Sequence, residues 1–406
     1  MRKFLFICHM NFPSYSTYAK HWQLNPEIVF LNHGSFGACP IKVLEKQNAY
    51  RTQMESDPVR FMVEDLEELA WQSKETLARF TGCKAKDLVF VPNATTGVNL
   101  VLKNLSLNPG DEILTHNHNY SACNNALLAF AQKWKANVIT ASVPFPLKTE
   151  DEIIDAFVKA ITPKTRLALI DHVTSATGII FPVKKLTKIL QEKGIVVIID
   201  GAHAPGMLDL DIDNIGAEFY TGNCHKWICS PKGSALLHVR EDRQKNFLPL
   251  TTGHSYDRPL EERKWSGQFF WPGTNDYSAS LCVADAIEYM GSMLQDWPAL
   301  RKHNHDLLIQ GRNKILHALN AEAPAPDHVL GSLSTIPLPI AYERPEYFFN
   351  HTHPFGRMLY NKYKIQIPIH AWPHNNPRIW IRISAQAYNS LEQYEYLGEV
   401  LREVGS

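Results

Sequence analysis

From about residue 85 to 240 the chain alternates short apolar runs with longer stretches whose apolar residues recur at helical spacing. Leu88–Val91, Glu112–Thr115, Asn137–Ala141, Leu167–Ile170, Ile195–Asp200, Glu218–Thr221 and Ser234–Val239 read as strands, most of them rich in Val, Ile or Leu. Between them Thr96–Leu105, Ser121–Trp134, Glu150–Ile161 and Val183–Lys193 read as helices. The last opens after Pro182 and closes before Gly194, which fits helix start and stop chemistry. Alternation of this kind builds a mostly parallel sheet covered on both faces. The fully apolar run Ile195-Val196-Val197-Ile198-Ile199 suits a central strand, and polar residues from Asp200 onward then face the crevice at the carboxyl end of the sheet.

After Leu281 the texture changes. Cys282–Gln295 and Leu300–Leu319 read as two long helices, Leu330–Ile340, Ile365–Ile369 and Arg378–Ser384 as strands, and Leu391–Val404 as a closing helix. The Pro-rich stretch Ala323–Asp327 marks a turn in this smaller α+β part. The expected organisation is an N-terminal arm over residues 1–27, a large domain over 28–290 and a small C-terminal domain over 291–406. No repeat of fixed period and no low-complexity segment interrupts it.

Charge and cysteine usage narrow the partners. Lys plus Arg (41) cancels Asp plus Glu (41), which argues against a generally basic nucleic-acid coat or a polybasic membrane binder. No stretch approaches the ~20 apolar residues of a membrane span. Met-Arg-Lys followed by Phe4 to Cys8 faintly resembles a secretion signal, but the apolar run breaks at His9 and no clean cleavage site follows. Seven cysteines, an odd number with no CxxC pair, do not form a disulfide framework and point to a reducing, cytoplasmic compartment.

Candidate chemistry gathers in Asp200-Gly201-Ala202-His203 and in Thr221-Gly222-Asn223-Cys224-His225-Lys226-Trp227. A pyridoxal cofactor needs a lysine to form an imine and a carboxylate to keep its pyridine nitrogen protonated. Spacing alone does not decide the matter, because one Asp at a strand end and one Lys in a loop are more often surface residues. Other motifs carry less. The HxH pairs at His116/His118, His303/His305 and His351/His353 lack a carboxylate or Cys to complete a ligand set, so no metal is expected. Gly34-Ser35-Phe36-Gly37 lacks the P-loop lysine, Lys232 reads as shaping a turn, and Cys224 reads as packing.

The stretch Tyr220–Leu237 (YTGNCHKWICSPKGSALL) resembles the lysine segment of class V aminotransferase-like, fold-type I pyridoxal-phosphate enzymes, and is most similar to their isopenicillin N epimerase-like branch. FLNHGSFGACP (Phe30–Pro40), PNATTGVN (Pro92–Asn99), DHVTSATG (Asp171–Gly178), DGAHAPG (Asp200–Gly206), WPGTND (Trp271–Asp276) and RISAQAYN (Arg382–Asn389) agree in the same order. The resemblance implies a fold-type I PLP-dependent transferase fold, with a mainly parallel seven-stranded sheet in the large domain and a small α+β C-terminal domain. It implies pyridoxal 5'-phosphate as cofactor and Lys226 as the imine lysine and proton shuttle. Asp200 would pair with the pyridine nitrogen and His203 would sit near the ring's phenolic oxygen, with Thr174 or Ser175 on that oxygen's other side.

By the same resemblance, the phosphate would lie at the helix opening at Thr95-Thr96, where unpaired N–H groups favour an anion. Thr221, Asn223 and His225 are further phosphate candidates, and Gly273 and Thr274 match a loop that reaches the neighbouring subunit's phosphate, which implies a homodimer with shared sites. Tyr120, in preference to His118, would stack on the cofactor; the plainer reading of either is a buried aromatic at a strand end. Arg382 would grip the carboxylate of a small amino-acid-type substrate, and Asn32 and His33 would line the substrate side. Arg60 either faces the cleft or forms a surface salt bridge.

The resulting expectation is an enzyme acting at the α-carbon of an amino acid. An epimerase or racemase ranks first, with Tyr120 or His33 as a second acid; a C–S lyase follows and an aminotransferase is third. No cysteine follows Cys282, so a desulfurase that forms a persulfide on a small-domain cysteine is not expected. A catalytically silent cofactor-binding paralogue is the non-enzyme alternative, against which both Lys226 and Asp200 are present. A nicotinamide enzyme is disfavoured, because no GxGxxG follows an early strand.

Overall fold

The computed structural model describes residues 12–254, 256, 265–338, 353–372 and 378–405. The signal-like stretch, His351 of one HxH pair and the end of the Leu330–Ile340 strand expectation lie outside the described residues. The strands among the described residues are β1 (Val29–Phe30), β2 (Leu88–Val91), β3 (Glu112–His116), β4 (Asn137–Ala141), β5 (Thr165–Asp171), β6 (Val196–Asp200), β7 (Phe219–Asn223), β8 (Ala235–Val239), β9 (Leu333–Pro337), β10 (Ile365–Gln366), β11 (Ile369–Trp372) and β12 (Arg378–Ser384). The main helices are α1 (Ile41–Ser56), α2 (Leu66–Thr81), α3 (Ala94–Lys103), α4 (Ser121–Trp134), α5 (Asp151–Ala160), α6 (Val183–Gln191), α7 (Ser278–Gly291), α8 (Trp297–Leu319), α9 (Pro354–Tyr363) and α10 (Leu391–Gly405).

The expected seven strands form one sheet in the order β2-β8-β7-β6-β5-β3-β4. Strand β8 runs antiparallel to both of its neighbours, and the other pairs are parallel. Alternate residues of the central strands enter two separate cores. Ala168, Ile170, Val197 and Ile199 pack on one face, while Leu167, Leu169 and Ile198 pack on the other with α3 and α4. Burial on both faces explains why these strands read as unbroken apolar runs rather than alternating ones. The polar residues that end β5, β6 and β7 are thereby brought to one edge of the sheet. Among the described residues no helix is long and apolar enough to cross a membrane.

The C-terminal part folds as a three-stranded antiparallel sheet, β11-β12-β9, with α8 and α10 packed together. The expected single strand Ile365–Ile369 is instead two, because Pro368 has no N–H to extend a ladder; its carbonyl accepts from Arg382 N at 3.1 Å. Strand β1 pairs in parallel with β10, and Ser384 N donates to Leu31 O at 2.9 Å, so the Asn32–His33 segment is anchored on the small-domain side. In the expected arm, Ser16 bonds the Ala387 and Tyr388 carbonyls, and the buried Trp22 joins Tyr388 in a local core.

Helix α7 begins at Ser278, four residues before the expected Cys282, and just ahead of it Asp276 Oδ1 accepts from Ser278 N at 2.9 Å. Helices α1 and α2 have no counterpart in the sequence expectation. In α1 only Val43 and Gln47 are buried, too narrow a stripe to stand out as a helical period.

Helix α3 reaches the sheet closely at Gly97, where an added Cβ would stand 2.2 Å from Thr221 Oγ1. Gly97→Ala is expected to lower the thermal midpoint through an overpacking cost of about 1–3 kcal/mol. An unchanged melting curve would show that α3 can move away from β7.

Candidate active site

Lys226 lies in the loop that leaves β7, and that loop is clamped from three sides. Cys224 N and His225 N both donate to Ser234 O, at 3.1 and 3.3 Å. Gly37, at φ 70°, presses so near that an added Cβ would sit 2.0 Å from His225 O. From the substrate-side segment, His33 Nε2 donates to Lys226 O at 2.9 Å while its Nδ1 meets Tyr388 Oη at 2.8 Å. A carbonyl only accepts, so Nε2 carries the ring proton and Nδ1 accepts from the tyrosine. His33 is buried with both nitrogens engaged, and burial lowers its pKa to about 3. It positions the lysine loop and is not free to act as the second acid considered for it.

The lysine amine lies 3.1 Å from His203 Nε2, and Trp227 Nε1–H donates to His203 Nδ1 at 3.4 Å. Indole is a donor only, so a neutral His203 must carry its proton on Nε2 and point it at Lys226. The unprotonated form of the amine then accepts with its lone pair. Electrostatics agree. Lys226 keeps part of its surface open to the cleft, yet burial, reinforced by the Arg382 guanidinium and opposed by Asp200, lowers its pKa to about 7. Burial, and then the Lys226 charge, holds His203 well below the usual imidazole range.

Asp200 closes β6 and is buried; its Oδ1 accepts from Ala202 N at 3.0 Å and its Oδ2 from Cys123 Sγ at 3.1 Å. Burial, and then the neighbouring Asp171, raises its pKa to about 6. Cys123 lies in the first turn of α4, three positions after Tyr120, and the sequence reading passed over it. Its thiol is pushed up by burial first and then by Asp200, so it stays protonated and can donate. Tyr120 precedes α4 and is 38% exposed. Burial, and with it the Asp200 charge, raises its phenol pKa, and Arg382 opposes them; its backbone amide reaches Asp171, which puts Tyr120 at the same sheet edge. His118 does not share that position. Its ring is buried between Thr177 Oγ1 (2.8 Å) and Val143 O (3.1 Å).

The residues expected near a phosphate surround the start of α3. Asn93 caps the helix by accepting from Thr96 N and Thr96 Oγ1, at 2.8 and 3.1 Å. Asn223 Oδ1 accepts from Ala94 N at 2.8 Å, tying the end of β7 to the helix. Thr95 and Thr96 remain partly accessible. Thr221 is buried and gives its hydroxyl to Leu236 O at 2.8 Å, so it supports the helix through Gly97. His225 Nδ1 donates to Ser234 O at 2.9 Å and its pKa is lowered by burial to about 4.

Arg382, on β12, is buried and faces only neutral acceptors. Nη1 donates to Ser175 O and Ser175 Oγ, at 2.6 and 3.2 Å; Nη2 donates to Ser35 Oγ and Asn32 Oδ1, at 2.9 and 3.4 Å. Its Nε has no partner, and no carboxylate pairs with it among the described residues. Burial lowers its pKa to about 10. A buried guanidinium without an anion is a receptor for one.

Thr174 is buried and bonded to Thr177 Oγ1 and Ile179 N, at 2.7 and 2.9 Å, so it shapes the turn that presents Ser175 to Arg382. Thr274 is exposed and Gly273 partly so, and Gly273 lines a surface pocket with Gly253, His254 and Trp271. Arg60 is exposed, 4.0 Å from both Glu64 and Asp65.

The donor set fits pyridoxal phosphate: a neutral amine, a buried carboxylate, a helix start with open hydroxyls and an anion-seeking arginine at one sheet edge. No group of three His, Cys, Asp or Glu among the described residues is arranged for a metal ion.

Comparison with known proteins agrees. The aminotransferase class-V family matches residues 29–344. A probable L-cysteine desulfhydrase of Arabidopsis thaliana is 29% identical, covering 97% of this chain and 87% of its own. An isopenicillin N epimerase of Streptomyces clavuligerus is also 29% identical, over 93% and 95%. The apo structure of a cysteine desulfurase from Thermococcus onnurineus NA1 superposes with TM-score 0.78 at 20% identity, over 97% of this chain and 98% of that one.

The neutral lysine has a measurable consequence. Acylation of Lys226 in the cofactor-free protein, followed by peptide mass spectrometry, is expected to reach half its maximal rate near pH 7, because only the unprotonated amine reacts and burial lowers its pKa. A midpoint as high as that of the exposed Lys42 would contradict the hydrogen-bond assignment.

Proposed function

The chain belongs to the aminotransferase class-V family, and from that premise we propose that it is a pyridoxal 5'-phosphate enzyme acting at the α-carbon of an amino acid or amino-acid-derived substrate. The observation that carries this is the Lys226 amine 3.1 Å from His203, with its pKa lowered to about 7 by burial and by the anion-free Arg382. The bound cofactor supplies an electron sink that makes the substrate's α-proton removable.

The protein's own groups do the rest. Arg382 exchanges its neutral acceptors on Ser35, Asn32 and Ser175 for the substrate carboxylate, which gains strength from the opposite charge. Lys226 takes the α-proton and returns it, and His203 keeps the amine's lone pair directed. Asp200, held as the acceptor of two donors, would hold the pyridine nitrogen and keep it protonated. The start of α3, with Thr95 and Thr96, takes the phosphate. Gly273 and Thr274 serve the site of a second copy, which makes the working enzyme a homodimer. The free cysteines suit a reducing, cytoplasmic setting.

Epimerisation is the first reading of the outcome. Tyr120 supports it: an accessible hydroxyl at the cleft, raised in pKa and so protonated, can return a proton where Lys226 does not. C–S lysis is the second. His33 and His118 are sealed, so if Tyr120 only stacks, Lys226 handles every proton and a β-sulfur group departs.

Incubation with L- and D-amino acids in deuterated water, with products identified, separates the outcomes. Exchange with inversion is expected for epimerisation, whereas pyruvate with a released sulfur compound marks lysis. No α-proton exchange with any substrate would overturn the assignment to the α-carbon. Arg382→Ala is expected to raise KM by roughly tenfold to a hundredfold, the loss of one charge-assisted contact worth about 1.5–3 kcal/mol. An unchanged KM would remove Arg382 from the substrate site.

A further inference from the structure

A second buried acid stands beside Asp200 with no task in this chemistry. Asp171 ends β5 and is the register partner of Asp200 at the end of β6. Partners on adjacent parallel strands send their side chains to the same face. The two carboxyls are 3% and 2% exposed, and two anions so placed repel strongly. Their surroundings differ. Asp200 accepts from a backbone amide and a thiol, as an anion requires. Asp171 Oδ1 accepts from no donor.

The polar atom nearest to Asp171 Oδ1 on β3 is His116 Nε2, at 3.3 Å. That nitrogen is itself an acceptor, because the Asp171 backbone N–H donates to it at 3.2 Å. The single proton of a neutral ring then sits on Nδ1. An ionised Oδ1 would hold its charge 3.3 Å from a nitrogen that is already an acceptor and would have no donor of its own, and a proton on Oδ1 removes that charge.

We propose that Asp171 is held as a neutral carboxylic acid, protonated on Oδ1 beside His116, and that it acts as a positioning residue confining the single negative charge of the pair to Asp200. The groups facing it are His116 from β3, Cys123 from α4, Asp200 from β6 and Lys226 from the loop after β7. Burial raises Asp171 to about 8, against the Lys226 charge and the amides of Tyr120 and Ser175. Burial also lowers His116 to about 3, so the contact is not an ion pair. The consequence is a defined charge count. One carboxylate, not two, is available to balance a cationic ring nitrogen at this edge.

The test has one arm without cofactor and one with it, and only the second rests on the function proposed above. In the cofactor-free protein at pH 7, the infrared spectrum of wild type minus Asp171→Asn is expected to show the carbonyl stretch of a protonated, buried carboxylic acid. Absence of that band overturns the proposal. If Asp171→Asn does not fold, the wild-type band followed alone with pH is expected to disappear around pH 8, and a wild type lacking it at pH 7 overturns the proposal equally. In the holoenzyme, Asp171→Asn is expected to leave the pH midpoint of the cofactor's visible absorbance unchanged, because the amide replaces a neutral group. A fall of roughly one unit or more would mean that a negative charge had been removed, and would overturn it.

Discussion

The site depends on keeping one lysine amine uncharged inside a protein. A buried ammonium is costly unless an anion pairs with it, and here the contact is His203, with Arg382 adding repulsion. The arrangement holds only while the loop carrying Lys226 is fixed. That need explains features that otherwise look unrelated: the left-handed Gly37 against His225, the His33 bond to the Lys226 carbonyl, and the paired amides on Ser234. His33 in turn is held by Tyr388 from the small-domain side, so the position of Lys226 is set by contacts from both halves of the chain.

Charge is distributed around this amine with few free anions. Asp200 is a carboxylate with assigned donors, Arg382 a cation with only neutral acceptors, and Asp171 a carboxyl whose Oδ1 has no donor. The cleft therefore presents a cation to an incoming carboxylate, a lone pair to an electrophilic carbon and one anion to a ring nitrogen. The doubly buried sheet keeps these groups at the carboxyl ends of β5, β6 and β7, where the low dielectric strengthens each interaction.

Much of this was legible in the sequence, for identifiable reasons. Lys226, Asp200, His203 and Arg382 lie in short blocks whose order carries the family resemblance, and the structure brings them together. The strands were legible because burial on both faces leaves a continuous apolar run. What was not legible depends on contacts across the fold. Asp171 lies in one of these blocks, but its partnership with Asp200 is a matter of strand register that neither segment encodes. Cys123 was missed because a thiol reads as core until its neighbour is known. His33 was found, yet its sealing by Tyr388 and Lys226 O turns it from a cleft residue into a clamp. Helix α1 escaped because it buries too little to show a period.

The most direct test of the central claim is to load the protein with pyridoxal 5'-phosphate, reduce it with borohydride and map the modified peptide. The account expects the pyridoxyl group on Lys226 alone, with loss of the visible absorbance band on reduction. Label on another lysine, or no stable label at all, would contradict it.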